Sequence, residues 1–280
     1  MVRPDAARTI DDRELDGLRD LLDQDPVVNC TVAARVEATG LKPRRLDGEM
    51  WGVGPRGAPT AACFSGANLI PVGADPQALA AFGDRALRAG RRCSSIVGLT
   101  EAVLPLWSML EPYWGPARAI RASQPLLATR EPSRITPDPA VRPVRLDQLD
   151  VLLPACVAMF TEEVGVSPIG RDGGALYRAR VRELIMTGRA FARIEDGQVI
   201  FKAEIGALSL EACQVQGVWV NPRYRGRGFG QAGMAAVVEQ SLRDMAPAVS
   251  LYVNDFNAAA RAVYARVGFT QVGSFTSVMF

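Results

Sequence analysis

A glycine-rich stretch in the last third of the sequence has the residue types of a phosphate-binding turn. It runs from Arg225 to Gly230 and follows an apolar run that ends at Val220. Apolar residues recur at helical spacing between Met234 and Met245, so we expect a helix to begin directly after the glycines. Backbone N–H groups at a helix start, backed by the positive end of the helix dipole, bind phosphate, and glycines let it approach closely. The stretch therefore predicts a phosphate site.

Three kinds of nucleotide-binding loop can be separated by spacing. A Walker loop needs Gly-Lys-Ser/Thr, which is missing, and a dinucleotide fingerprint needs G-x-G-x-x-G, whereas here the glycines are Gly226, Gly228 and Gly230. An arginine- and glycine-rich RNA-binding segment is repeated and disordered, but this stretch is single and lies between apolar segments. A pyrophosphate loop between a strand and a helix remains.

The spacing Arg225-x-x-Gly228-x-Gly230 resembles the R/Q-x-x-G-x-G/A loop of the GNAT acyltransferase superfamily, which binds the pyrophosphate of acetyl-CoA. Residues 251–269 are similar to the second signature of that family: a strand, a helix capped by Asn257 that contains Tyr264, and then Gly-Phe. The two signatures come in the family's order, and the resemblance covers residues 141–280. It implies acetyl-CoA as co-substrate and an amine as acceptor.

The resemblance also assigns site residues. In the family, the strand before the loop splays away from its neighbour, so that its backbone binds the pantetheine arm and an N–H group faces the thioester oxygen. The implied cofactor-binding residues are Val218, Trp219, Val220, Arg225, Gly226, Arg227, Gly228, Phe229, Gly230, Asn254 and Asn257. The implied general acid is Tyr264, which lies two helical turns, roughly 10 Å, beyond Asn257 on the same face.

The general base stays open at this stage. The family often places a carboxylate on the hairpin strand ahead of the loop, but this sequence has Gln216 there. The candidates are Glu204, Glu211, Glu162, Glu163 and the terminal carboxylate of Phe280. Histidine is absent from the sequence, so a histidine base and histidine metal ligands are excluded.

Composition favours a water-soluble protein of the reducing cytoplasm. The chain has 280 residues, 48% apolar content and a net charge of +2, which gives no whole-chain argument for nucleic acid or membrane binding. Its five cysteines lack metal-ligand spacing, so no metal is expected. The polar start from Met1 to Asp12 has no signal-peptide core, and no apolar run is long enough to span a bilayer.

The order of predicted elements repeats. A proline-rich linker at residues 131–140 separates a first domain at 1–130 from a second at 141–280. The first half contains two helices, three strands, a helix, a strand and a helix, and the second half restarts the order. The predicted elements are helices at 11–23, 26–37, 76–88, 101–110, 146–160, 174–186, after 230 and at 257–267, and strands at 50–53, 59–64, 69–72, 94–99, 141–145, 190–194, 199–208, 212–220, 249–253, 269–272 and 276–280.

Together with the resemblance, this order implies an α/β (α+β) fold of two tandem GNAT-like domains, each with a mixed, mostly antiparallel sheet flanked by helices. The first domain is degenerate, because Gly73 to Gln77 has acidic Asp75 and no glycine loop. The implied activity is acetyl or acyl transfer to an amine of a small molecule or protein by direct attack in a ternary complex. Alternatives are a mycothiol-synthase-like, aminoglycoside or protein acetyltransferase, a peptidoglycan aminoacyl transferase, and an acyl-CoA-sensing module without turnover. The acceptor, the acyl length and the oligomeric state are left open.

Overall fold

The computed structural model describes residues 6–170 and 172–280. Met1–Asp5, part of the polar start considered above, and Arg171 lie outside the described residues. The chain folds into two compact units. The first contains the described residues up to Leu127 together with 252–256 and 271–280, and the second contains 128–251 and 257–270.

Runs of strands and runs of helices follow one another along the chain. The strands are β1 (Arg8–Thr9), β2 (Gly48–Val53), β3 (Ala61–Gly66), β4 (Asn68–Val72), β5 (Ser95–Leu99), β6 (Ala119–Thr129), β7 (Arg142–Pro143), β8 (Ala190–Glu195), β9 (Gln198–Leu208), β10 (Cys213–Val220), β11 (Val249–Tyr252) and β12 (Thr270–Met279). The helices are α1 (Leu15–Leu22), α2 (Cys30–Thr39), α3 (Pro43–Leu46), α4 (Pro76–Ala89), α5 (Thr100–Trp114), α6 (Leu149–Val164), α7 (Ala175–Met186), α8 (Phe229–Asp244) and α9 (Ala258–Val267).

The first unit has helices on both faces of its sheet. Strands β1 to β4 pair antiparallel, β5 joins β4 in parallel, and β12 pairs antiparallel with β5. One apolar cluster contains Phe82 of α4 and Leu106 of α5, and a second contains Leu18 of α1 and Val36 of α2. Burial of these two helical faces defines a core on each side of the sheet.

The second unit repeats this arrangement. Strands β7 to β10 pair antiparallel and β11 joins β10 in parallel. Helices α6 and α7 pack on one side in a cluster that includes Leu152, Val181 and Trp219. Helix α8 approaches β9 so closely that a β-carbon on Gly233 would lie 2.7 Å from the ring of Phe201. The predicted fold class of two α/β domains with mixed, mostly antiparallel sheets is confirmed.

The structure differs from the predicted elements in β1 and α3, two short elements that were not predicted, and in two longer strands. Strand β6, from Ala119 to Thr129, was not predicted, because Pro125 and several polar residues argue against a strand in this stretch. Strand β12 is one element, whereas Gly273 and Ser274 led to the prediction of two strands. Residues 131–140 form turns and bends, as their proline content predicts. The domain boundaries stay a prediction, since each compact unit collects segments from separate parts of the chain.

In the first unit, a side chain occupies the helix N-terminus that corresponds to the glycine loop. Asp75 is the N-cap of α4, and its carboxylate accepts a 2.8 Å hydrogen bond from the backbone N–H of Ala78. A helix N-terminus that already holds a carboxylate has one donor fewer for an external anion, and its charge repels one. The local geometry therefore agrees with a degenerate first half.

Two negative findings concern the described part of the chain. No helix there is both long and apolar enough to cross a membrane. Within residues 6–170 and 172–280, no three His, Cys, Asp or Glu side chains are grouped in a way that could hold a metal ion.

Candidate functional site

Strands β10 and β11 pair over a short distance only. Cys213 pairs with Val249 and Gln214 with Ser250, and no further pairing between these strands is found in the described part of the chain. Strand β10 nevertheless continues to Val220. The backbone of residues 215–220 therefore lacks ladder partners on its β11 side, which leaves polar groups for a ligand to contact.

A bulge interrupts β10 on its other side. The register with β9 shifts between Gln216 and Trp219, and Gly217 between them has a φ of +59°. A β-carbon at Gly217 would lie 2.5 Å from Oε1 of Glu204 and 3.0 Å from the methyl group of Met159. The bulge thus needs glycine both for its left-handed backbone and for its close contact with Glu204.

The glycine loop forms the start of α8. Gly226 and Gly228 have φ values of +76° and +86°, and Gly228 is the N-cap residue without a side chain to cap the helix. A 3-10 helix at Pro222–Tyr224 leads into the loop, and the side chain of Asn221 caps it. Because no side chain occupies the end of α8, its first-turn N–H groups face the loop, unlike those of α4.

Arg225 is held against the neighbouring structure. Its Nε donates to the carbonyl of Val220 at 3.0 Å, and its Nη2 donates to Oε2 of Glu162 at 2.6 Å. Oε1 of the same Glu162 accepts a hydrogen bond from the indole nitrogen of Trp219 at 3.1 Å. Glu162 therefore connects the glycine loop with β10.

An open groove of about 570 Å³ lies beside the first turn of α8, and the segment 134–139 forms one wall. Arg193 lies over the ring of Phe229, 4.7 Å from its centroid, and donates to the buried carboxylate of Asp138 at 2.7 Å. Arg134 and Arg227 also line the groove. The groove is consequently rich in positive charge next to a helix N-terminus.

Helix α9 carries two of the predicted residues. Asn257 caps the helix through a 3.1 Å hydrogen bond from the N–H of Ala260. Tyr264 is buried, 6% exposed, and packs edge-on against Phe269 with ring centroids 5.9 Å apart. Burial, and to a smaller extent the negative charge of Glu163, raises the pKa of Tyr264, so its hydroxyl keeps its proton at neutral pH.

Asn254 belongs to the first unit, and its surroundings are described there. Its Oδ1 accepts a 3.0 Å hydrogen bond from Nε2 of Gln124, whose Oε1 accepts one from Ser277 at 2.7 Å. The side chain is thus engaged within its own unit. The cofactor role given to Asn254 by the sequence stays a prediction, as do the roles of the other predicted site residues.

The five candidate bases lie in different surroundings. Glu204 is buried on β9, Glu162 is bonded to Arg225 and Trp219, and Glu163 is exposed near the end of α6. Glu211 is exposed in the turn between β9 and β10. The ring of Phe280 packs in the first unit, between Trp107 and Trp114 at centroid distances of 5.5 and 5.8 Å.

Sequence reasoning missed one charged residue beside these carboxylates. Lys202 is 1% exposed, and its Nζ lies 3.8 Å from Oε1 of Glu204 without a hydrogen bond of regular geometry. The signal was present in the sequence, since Lys202 interrupts an apolar strand pattern in a chain with two lysines. A charge in that position indicates either a buried pair or a polar site.

Family models match two parts of the chain. Residues 176–269 match the acetyltransferase (GNAT) family, and residues 48–152 match a domain of unknown function, DUF4081. None of the curated proteins matches the chain.

Solved structures resemble the whole chain. An acetyltransferase from the GNAT family of Colwellia psychrerythraea is 14% identical over 98% of this chain and 99% of its own, with a TM-score of 0.57. A GCN5-related N-acetyltransferase from Sphaerobacter thermophilus is 17% identical over 97% and 93%, with a TM-score of 0.56. A tandem GNAT protein from the clavulanic acid biosynthesis pathway is 14% identical over 98% of both chains, with a TM-score of 0.53.

Structural similarity at these low sequence identities shows the fold alone. The family match is separate evidence for residues 176–269. The chain has the fold of tandem GNAT proteins, residues 176–269 match the GNAT acetyltransferase family, and residues 48–152 fit a degenerate first half. At the level of the superfamily this supports an acyltransferase. The resemblance to the GNAT superfamily that the two sequence signatures indicated is confirmed.

Proposed function

We propose that the second unit binds acetyl-CoA and transfers its acetyl group to an amine by direct attack in a ternary complex. The observation that carries this proposal is the divergence of β10 from β11 directly before an uncapped, glycine-lined helix N-terminus. A ligand with an anionic end and an amide-containing arm matches both features at once. Acetyl-CoA has a pyrophosphate and a pantetheine arm in this order.

In this proposal different groups of the chain bind different parts of acetyl-CoA. The loop from Gly226 to Gly230 receives the pyrophosphate through backbone N–H groups, with Arg225 and Arg227 adding charge. The open edge at residues Val218, Trp219 and Val220 binds the pantetheine arm, and one of its N–H groups polarises the thioester carbonyl. Asn257 supports the arm, and no metal takes part.

Tyr264 is proposed as the general acid that protonates the departing thiolate. Its raised pKa keeps the phenol neutral over the physiological range, as a proton donor requires. The acceptor is proposed only as an amine of a small molecule or protein, and a cytoplasmic location is a further prediction from the sequence. The role of the first unit is not assigned, because Asp75 occupies the end of its corresponding helix.

Two measurements test the proposal. Calorimetry with acetyl-CoA should show saturable binding to the full chain, and release of free thiol should show turnover when primary amines are added. All five cysteines are buried, so a thiol reagent should report CoA with a low background. Absence of acetyl-CoA binding would contradict the proposal. Binding without thiol release over a broad amine panel would favour the acyl-CoA-sensing alternative.

A further inference from the structure

A buried lysine and glutamate lie side by side on β9. Lys202 and Glu204 are 1% and 8% exposed, and their charged atoms are 3.8 Å apart. Two residues apart on a strand, they project from the same face of the sheet, the face covered by α6. Removing two charges from water costs several kcal/mol per ion, and a pair at this distance recovers only part of that cost. Stability alone therefore does not account for a charged pair at this position.

Glu204 directly contacts the bulge of β10. Its Oε1 is so close to Gly217 that an added β-carbon would lie 2.5 Å away. The bulge lies between the last residues of β10 that pair with β11 and the open edge proposed for the thioester. Glu204 is also the cross-strand neighbour of Gln216, the position at which the resemblance expects a carboxylate. The negative charge missing from β10 is thus supplied by the adjacent strand.

The other candidate bases of the second unit are less suited to this position. Glu162 is already bonded to Arg225 and Trp219. Glu211 lies in the turn before β10, six residues from Gly217, which corresponds to about 20 Å of extended strand. Glu163 is exposed and is the remaining rival, because its charge acts on Tyr264.

We propose that Glu204 is the general base of the acyl transfer and that Lys202 is the positioning residue that orients its carboxylate. This inference rests on the proposed function of the same site and deepens it. Glu204 removes the proton of the acceptor nitrogen directly or through one water molecule. Because 10% of the Glu204 side chain is exposed, a water molecule or an amine can reach it.

The proposed reaction conserves atoms and protons. The amine nitrogen forms a bond to the acetyl carbon while its proton passes to the Glu204 carboxylate. The carbon–sulfur bond then breaks, and the thiolate takes the proton of Tyr264. Glu204 returns its proton to solvent, and the Tyr264 phenolate takes one back, so amine and acetyl-CoA give amide and CoA thiol. When water is the acceptor, the same steps give acetate.

Acetyl-CoA hydrolysis provides a test that needs no knowledge of the natural acceptor. Thiol release from acetyl-CoA is measured with water alone and with ethanolamine, benzylamine and lysine amide, and the acetyl-CoA Kd is measured separately. Glu204→Gln should lower kcat by about 10²- to 10⁴-fold while Kd stays within a few-fold. Glu239→Gln is the matched control, since Glu239 is an exposed glutamate of α8, and it should behave like the wild type.

A double variant separates catalysis from folding. Glu204→Gln alone leaves the Lys202 ammonium buried without a counter-charge, so it is expected to destabilise the chain. Lys202→Met with Glu204→Gln removes both charges and should recover the urea midpoint but not kcat. A structural role for Glu204 would instead predict that kcat recovers together with stability.

Three results would overturn the assignment of Glu204. These are a wild-type kcat in Glu204→Gln, a recovered kcat in the double variant, and loss of kcat in Glu163→Gln with Glu204→Gln unaffected, which would transfer the role to Glu163. Failure of the proposed function is distinct, because the wild type itself would then bind no acetyl-CoA or release no thiol.

Discussion

Arg225 and Glu162 join the glycine loop to helix α6 through a hydrogen bond of 2.6 Å between Nη2 and Oε2. The other carboxylate oxygen of Glu162 accepts from the indole of Trp219 on β10. One side chain thus fixes the relative position of the loop proposed for pyrophosphate and the strand proposed for pantetheine. We infer that the guanidinium of Arg225 acts on the ligand partly by holding the loop in place.

The first prediction concerns this link. Glu162→Gln should raise the acetyl-CoA Kd about 3- to 10-fold, because it weakens a charge-assisted hydrogen bond that orders the loop. The free energy of unfolding should fall by less than about 1 kcal/mol, since both side chains are about half exposed and solvent screens them. Calorimetry and urea unfolding measure the two effects, and Glu239→Gln is the control. Tighter binding would show that Glu162 competes with the ligand for Arg225.

The second prediction separates backbone strain from ligand exclusion at the glycine loop. Gly228→Val should abolish measurable acetyl-CoA binding, because a branched side chain is strained at a φ of +86° and covers the helix N-terminus. Gly197→Val is the matched control: Gly197 has a φ of +70° in the turn between β8 and β9, and a β-carbon there meets no atom within 4 Å. Both variants should lose similar stability, but only Gly228→Val should lose binding. Equal affinities in calorimetry would remove the loop from the ligand site.

The third prediction concerns Tyr264. Tyr264→Phe keeps the ring and its packing against Phe269, so the acetyl-CoA Kd and the unfolding midpoint should change little. Loss of the phenol proton should lower kcat by about 10²- to 10⁴-fold, the range of general acid catalysis. Steady-state kinetics by thiol release measures this effect. If the variant turns over at the wild-type rate, the hydroxyl is not the acid and water supplies the proton.

The fourth prediction links Tyr264 to alkaline stability. In the unfolded chain tyrosine titrates near pH ~10, whereas burial first, and Glu163 second, raise the pKa of folded Tyr264 above that value. Its contribution is therefore complete below pH ~10 and is lost as pH rises from there towards the folded pKa, by up to about 1.4 kcal/mol per pH unit. Buried cysteines such as Cys213, whose pKa burial raises to about 11, add their own dependence.

A comparison with Tyr264→Phe isolates the tyrosine from the cysteines. Urea unfolding between pH 9 and 11 should show a shallower loss of stability in the variant, because phenylalanine has no proton to release. Parallel curves for wild type and variant would mean that Tyr264 titrates in the folded state as it does in the unfolded one.

The fifth prediction concerns the last strand of the chain. Deleting residues 271–280 removes the antiparallel partner of β5 together with buried Val278 and the Phe280 ring between Trp107 and Trp114. Each buried apolar side chain contributes about 1.5–3 kcal/mol, so the first unit should lose cooperative folding. Hydrogen exchange of residues 95–99 should become fast, and a synthetic 271–280 peptide should restore protection. Unchanged protection in the truncated chain would contradict the prediction.

Much of the fold could be predicted because its signals are local. Helical periodicity and the glycine and proline positions predicted most helices and the strands β2 to β5 and β7 to β11, within a few residues. Strand β6 could not be predicted, since Pro125 lies within it and its residues lack alternation. The pairing of β12 with β5 joins residues about 180 positions apart, and no local pattern encodes such a partner.

The site was predictable where a motif fixes the backbone. Glycine at positions 226 and 228 permits the positive φ values found there, and asparagine is a favoured capping residue at position 257. The surroundings of Asn254 and Glu162 depend on side chains from distant segments, Gln124 and Arg225, and could not be read from spacing. The same holds for Lys202 and Glu204, whose burial is a property of the packed unit.

The location of β12 also separates the order of synthesis from the order of folding. A ribosome releases the chain from its N-terminus, and domains usually fold as they emerge. Here the first unit contains residues 271–280, so its sheet remains incomplete while the whole second unit is being translated. Nascent β5 must therefore wait with an exposed edge, the kind of surface on which chaperones act and at which aggregation begins. Slow translation of the second half would prolong that exposure. In a chain truncated before β12, the edge of β5 would stay exposed permanently.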